Sequence, residues 1–160
     1  MRRTAGFTLI ELVVVILIGS ILVSVALSGV QGAQEAYAVR SARTMYATFH
    51  QKARAKAIES GRTQIIIVDT TGDSVMIADW EPPAAPVFTD VTRLREQLNV
   101  DMRATPVAFL MCMTPRGYAD AACPAFPGIT GSTGAIRLEF WLNGDSTSTI
   151  ILPMGQLVGT

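Results

Sequence analysis

The sequence has little charge and no excess of either sign. Thirteen Lys and Arg residues balance thirteen Asp and Glu residues, and charged residues make up only 16% of the 160 positions. A general nucleic-acid binder needs surplus cationic side chains to meet phosphates, so the balance disfavours that class. Disorder needs low hydrophobicity or high net charge, and the mean hydropathy of +0.36 excludes it. The length suits one domain of ordinary size.

Histidine and cysteine are also scarce, which limits the chemistry of the chain. One His, His50, and two Cys do not complete a ligand set for a metal ion. The sequence contains no G-x-S-x-G, H-E-x-x-H or phosphate-loop motif, and its carboxylates have no spacing that indicates an acid–base pair. We therefore predict no cofactor, no metal site and no catalytic residue, and we expect a protein that is not an enzyme, with His50 in the core or on the surface.

The apolar residues are concentrated near the N-terminal end. From Phe7 to Val30 the only charged residue is Glu11, and the run from Leu12 onward consists mostly of Val, Ile, Leu and small side chains. As a helix, 12–30 spans about 28 Å, close to the ~30 Å hydrocarbon core of a bilayer. Arg2 and Arg3 precede it, so the positive-inside rule predicts a single-pass membrane anchor with the residues after Val30 on the far side from the cytoplasm.

Glu11 is the residue that an ordinary membrane segment does not explain. A secretory signal ending near Ser24-Val25-Ala26, or a single-pass anchor with an incidental Glu, are the alternatives. A carboxylate in a membrane span costs about 2.5–3.5 kcal/mol, less near its end, and usually has a partner. No Lys or Arg follows until Arg40. The candidate counter-ions within the chain are therefore Arg2 and Arg3, or an amino terminus newly made by cleavage.

The residues from Gly6 to Val15, GFTLIELVVV, resemble the class III signal of type IV pilins and type II secretion pseudopilins. The resemblance implies that a prepilin peptidase cuts after Gly6 and N-methylates Phe7. It also implies that Glu11, fifth in the mature chain, pairs with the free amine of a neighbouring subunit. The implied partners are other pilins or pseudopilins of the same filament, the peptidase and the inner membrane.

The helical pattern continues beyond the apolar run. Positions 31–60 lack Pro, and Gly61 is the expected C-cap of one helix from about Thr8 to Ser60. Apolar residues recur there at steps of three or four and predict a buried stripe: Ala42, Tyr46, Phe49, Ala53 and Ala57.

Basic residues cluster on the same stretch: Arg40, Arg43, Lys52, Arg54 and Lys56. We interpret them as a solvated helix face, with contacts to other subunits or to nucleic acid as the alternatives.

From position 62 the pattern changes to strands. We predict strands at 63–69 and 74–80, weaker ones near 87–92, 99–103 and 107–113, and a final pair at 135–142 and 148–152. Tight turns are predicted at Thr70–Asp73 and Asn143–Asp145. The predicted fold class is α+β, a long N-terminal helix packed on a mostly antiparallel β-sheet head. The expected division is a leader at 1–6, a membrane and assembly helix at 7–30, an amphipathic helix at 31–61 and the head at 62–160.

The second half of the chain resembles the GspH/FimT branch of minor pilins and pseudopilins, in the order of helix, hairpin and last strand. This implies a β-rich periplasmic head at or near the tip of a short filament. DNA-binding members of that branch end with arginines beside the final Gly, whereas no basic residue here follows Arg137. A tip subunit that binds DNA or an exported substrate is therefore the alternative function, with DNA disfavoured.

The two cysteines, Cys112 and Cys123, lie in a stretch rich in Pro and Gly. In an exported domain such an even pair predicts a disulfide, which would stabilise the head by about 3 kcal/mol in the chain-entropy model.

Overall fold

The computed structural model describes residues 8–80, 86–120, 129–131 and 134–159. Gly6, Phe7 and Cys123 lie outside the described residues. The elements follow in chain order: α1 (Leu9–Ser60), β1 (Gln64–Asp69), β2 (Ser74–Asp79), β3 (Val87–Arg93), α2 (Leu94–Leu98), β4 (Asp101–Ala104), β5 (Ala108–Met113), β6 (Ala119–Asp120), β7 (Thr130–Gly131), β8 (Ile136–Leu142), β9 (Asp145–Ile151) and β10 (Leu157–Gly159).

Helix α1 has the bounds that the sequence predicts. It runs without interruption for 52 residues and is followed by Gly61, whose φ of +65° is the left-handed conformation of a helix C-cap. The chain divides into two compact units, one ending at Glu35 and one beginning at Ala36. The helical residues from Ala36 onward therefore belong to the same unit as the strands.

The described strands form two sheets. One has the order β3-β2-β1-β5-β6, with β7 beside β5, and the other has the order β10-β9-β8-β4. Among the described pairings, β5 with β7 is parallel and the rest are antiparallel, which confirms the mostly antiparallel head. The hairpin turn at Asn143-Gly144 is also confirmed, because both residues have positive φ (49° and 108°) as a two-residue turn requires. The separation into two sheets was not predicted.

A stripe of α1 closes the core over both sheets. The predicted residues Ala42, Tyr46, Ala53 and Ala57 are at most 1% exposed, whereas Phe49 is only partly buried. They share one cluster with residues from both sheets: Ile66, Val68, Ile77, Phe109, Met102, Leu138 and Phe140. Alanines at three of these positions let the helix backbone approach the strands closely.

The opposite face of β1 is buried in a second cluster. Ile65, Ile67, Leu110 and Cys112 form it, with partly buried side chains packed against it. Cys112 is 2% exposed and its thiol is not free. Because Cys123 lies outside the described residues, the Cys112–Cys123 disulfide stays a prediction.

Asp73 ties the turn between β1 and β2 to the second sheet. Its buried carboxylate accepts the N–H of Met102 on β4 at 2.6 Å and pairs with Arg95 of α2 at 3.1 Å. Its carbonyl oxygen accepts the N–H of Leu94 at 2.9 Å. Burial raises the pKa of Asp73, although the Met102 N–H and Arg95 oppose that rise.

Polar groups are buried beneath α1. Within the described part of the chain, the hydroxyl of Tyr46, both ring nitrogens of His50 and the side-chain amide of Gln64 have no hydrogen-bond partner. His50 is 1% exposed, and this burial, with a smaller effect of the nearby Arg54 charge, lowers its pKa to about 4 from 6.5. Burial raises the pKa of Tyr46. His50 therefore stays neutral when the head is folded at neutral pH.

Acidification should weaken the head through His50. Between pH 6.5 and about 4 the unfolded chain binds a proton at His50 that the folded chain does not. The free energy of unfolding should thus fall by about 3 kcal/mol from this residue as the pH drops from 7 to 4. His50→Gln should remove this part of the dependence. Urea unfolding of both proteins in detergent, followed by circular dichroism, measures the difference; identical pH profiles would contradict the prediction.

Candidate assembly site at the start of the long helix

Thr8 caps the first turn of α1. Its side-chain Oγ1 accepts the backbone N–H of Glu11 at 3.3 Å, and its carbonyl oxygen accepts the N–H of Leu12 at 3.3 Å. The first N–H groups of a helix lack partners inside it, so a Thr hydroxyl at this position stabilises the start. Thr8 and Glu11 have the spacing of a capping box. Thr8 is not among the predicted site residues, although a Thr three residues before a Glu at an apolar helix start is a recognisable capping signal.

Glu11 lies in this first turn with its side chain exposed. A negative charge here is favoured by the partial positive charge of the helix N-terminus. Among the residues that the structure describes, none provides its carboxylate with an ion pair. That Glu11 pairs with the amine of a neighbouring subunit stays a prediction.

The helix around Glu11 exposes apolar side chains in all directions. Leu9 is 82% exposed, and large residues as far as Val30 are at least 41% exposed. By length and composition α1 is the one helix, among the described residues, that could cross a membrane; its most apolar window has a mean hydropathy of 2.8 and is 0% buried. A segment that is apolar all round requires lipid or other apolar helices as its surroundings.

Two of the basic side chains of α1 that were expected to be solvated instead form ion pairs with strand residues. Lys52 pairs with Asp90 of β3 at 2.7 Å, and Lys56 pairs with Asp79 of β2 at 3.4 Å. These pairs link the helix to the first sheet and partly neutralise two of the cations that a phosphate would need.

A further basic residue contacts the C-terminal strand. The guanidinium of Arg43 occupies the space into which a side chain at Gly159 would project, so a larger residue there would have to displace the end of the Arg43 side chain. Arg40 and Arg54 are exposed, as the sequence predicts.

Comparisons with known proteins found one matching family model and several similar solved structures. Residues 1–27 match the family model described as the prokaryotic N-terminal methylation motif. No curated protein sequence matches the chain. Among solved structures, the type IV minor pilin FimU of Pseudomonas aeruginosa is similar with a TM-score of 0.56 and 14% identity over 76% of this chain and 87% of that one. The minor pseudopilin EpsH of the Vibrio cholerae type 2 secretion system gives a TM-score of 0.53 and 13% identity over 79% and 96%.

The chain therefore has a pilin-like fold and, at its start, a prokaryotic N-terminal methylation motif. At 13–14% identity the structural likeness shows the fold, and it confirms the predicted α+β architecture. The motif match spans Gly6, Phe7 and Glu11. Cleavage after Gly6, methylation of Phe7 and the pairing of Glu11 stay predictions.

Removing the hydroxyl of Thr8 should loosen the first turn. Loss of an N-cap costs about 1 kcal/mol, which corresponds to about a fivefold change in an opening equilibrium. In Thr8→Ala the Glu11 amide should therefore exchange its hydrogen about fivefold faster, whereas Thr8→Ser should stay within about twofold of the natural protein. NMR hydrogen exchange in detergent micelles measures this. Equal rates in all three proteins would show that the hydroxyl is not a cap.

Proposed function

We propose that this protein is a minor pilin or pseudopilin. It is a structural subunit that assembles into, or caps, a type II secretion pseudopilus or a type IV pilus after a prepilin peptidase has cut and methylated it. The observation that carries the proposal is Glu11, a carboxylate in the first turn of a helix that is apolar and exposed on all sides, within the matched methylation motif. The pilin-like fold of the chain supports the same conclusion.

The proposed assembly step is an ion pair in an apolar medium. Cleavage after Gly6 creates a new amine on Phe7, and this amine pairs with Glu11 of the adjacent subunit. Either charge alone in lipid costs several kcal/mol, and a well-placed pair offsets much of that cost. Since the amine is on the first residue of the mature chain and the carboxylate is on the fifth, their pairing between subunits also sets the axial stagger.

In the proposed arrangement the apolar part of α1 has two successive environments. Before assembly it lies in the inner membrane, with the residues after Val30 on the periplasmic side. After assembly its exposed leucines, isoleucines and valines contact the helices of other pilin-like subunits. Both environments cover the apolar surface that the structure leaves exposed.

Processing should depend on Gly6. In Gly6→Ala the leader should remain attached, because the resemblance assigns cleavage to the bond after Gly6. The matched control Ala5→Ser, one residue upstream, should be processed normally. Intact mass and N-terminal sequencing of the membrane-extracted protein should give N-methyl-phenylalanine as the first residue of the natural chain. Any other first residue, or an intact leader on the natural protein, would exclude the proposed function.

Assembly should depend on the charge of Glu11. Glu11→Gln keeps the size and the membrane segment but leaves the Phe7 amine without its carboxylate, so incorporation into filaments should fall at least tenfold while membrane insertion is unchanged. Glu59→Gln makes the same chemical change at an exposed position near the other end of α1 and should assemble normally. Quantitative blotting of sheared filaments and of membranes measures both. Normal incorporation of Glu11→Gln would exclude the ion pair.

A further inference from the structure

The solvent-facing side of the four-stranded sheet carries a polar surface with one aromatic residue. Along β8 the alternate residues Ile136, Leu138 and Phe140 are at most 4% exposed in the core. The residues between them therefore point away from the core. This outer face presents Arg137, Glu139 and Trp141.

Arg103 on β4 belongs to the same face. Its directly opposite neighbour on β8 is Glu139, and opposite charges at such positions ordinarily pair. Here Glu139 is instead 3.5 Å from Arg137 of its own strand. The Arg103 guanidinium lies over the ring of Trp141, 4.6 Å from the ring centroid. The aromatic ring thus restricts Arg103, while the carboxylate directly opposite it in the sheet is paired with Arg137.

The other strand arginines differ from Arg103. Arg93 on β3 pairs with Glu96 at 3.1 Å, and Arg137 pairs with Glu139. Within the part of the chain that the structure describes, Arg103 has no carboxylate partner, and its side chain is exposed. A guanidinium over an aromatic ring still offers its in-plane N–H groups, which match a carboxylate in bidentate geometry.

The surface beside Arg103 is concave. A cavity of about 380 Å³ is lined by Arg103, Thr105, Arg137 and Glu139, together with two alanines. A second cavity of about 310 Å³ continues along β8 and β9 and shares Arg137 and Glu139 with the first. The two cavities adjoin at Arg137 and Glu139, and we call them together the β8 groove.

We propose that the β8 groove is a docking surface for a different pilin-like subunit, and that Arg103 anchors an Asp or Glu side chain of that partner. Arg and Trp are enriched among the residues that carry most of the binding energy of interfaces. A polyanion such as DNA fits less well, because the Glu139 carboxylate lies in the same groove and repels closely spaced phosphates. The identity of the partner rests on the proposed function, whereas the anchor rests on the geometry of Arg103.

The test uses the full-length chain, expressed with the other pilin-like subunits of its filament in the natural host. A photo-cross-linking amino acid replaces Thr105, which lines the groove. In wild type we expect one cross-linked product with a different pilin-like subunit, identified by mass spectrometry. Arg103→Glu should reduce its yield at least tenfold. Arg103→Lys, which keeps the charge but not the planar fork, should reduce it less.

Arg93→Glu is the matched control, because Arg93 is an exposed strand arginine of the other sheet and has its own partner. It should change the yield less than twofold. Changing the cross-linked acidic residue of the partner to Arg should restore the product in Arg103→Glu. An unchanged yield in Arg103→Glu, no rescue by the charge exchange, or a product formed only with a second copy of this chain, lipid or DNA would overturn the inference.

The same samples separate this inference from the proposed function. N-terminal sequencing shows whether the leader has been removed, and filament blotting shows whether the subunit assembles. An unprocessed wild-type chain refutes the proposed function. A chain that is processed and assembled, but whose cross-link does not depend on Arg103, refutes only the docking surface.

Discussion

One buried stripe of α1 holds the head together, because it is the surface on which residues of both sheets meet. Ala42, Tyr46, Ala53 and Ala57 lie in a single cluster with core residues from β1, β5 and β8. A sheet with one apolar face must bury it against another element, and here one helix serves two sheets at once. The unpartnered nitrogens of His50 lie on the same helix face, so the contact between α1 and the sheets also contains a group whose protonation would weaken the head.

The same helix meets opposite physical demands in its two parts. From Ala36 onward it buries a stripe against strands, whereas before Glu35 it exposes Leu, Ile and Val side chains on every side. Burying such side chains is worth about 25 cal/mol per Å², so the exposed part gains stability only in lipid or against other apolar helices. In either medium a lone carboxylate is costly, so Glu11 is the residue of this segment whose burial needs a counter-charge.

Local signals made much of the fold predictable, and long-range pairing made the rest unpredictable. The bounds of α1, its end at Gly61 and the turn at Asn143 follow from neighbouring residues alone. The division into two sheets depends on contacts between distant segments, such as Asp73 with Met102. The ion pairs of Lys52 and Lys56 with strand carboxylates are equally non-local. The sequence therefore predicts a solvated basic face on α1, whereas two of its cations pair with the first sheet. The N-cap at Thr8 is a local feature that the spacing of Thr8 and Glu11 could have predicted.

Several of the basic side chains named above pair with a carboxylate of the same chain, and Arg103 does not, among the residues that the structure describes. The chain places carboxylates next to Arg95, Arg137 and Lys52, and these exposed pairs contribute little to stability. Arg103 is different because Trp141 restricts its guanidinium without neutralising it. Restricting a side chain before binding lowers the entropy lost when a partner arrives, so a stacked and unneutralised arginine is better suited to an interface than to the stability of the free subunit.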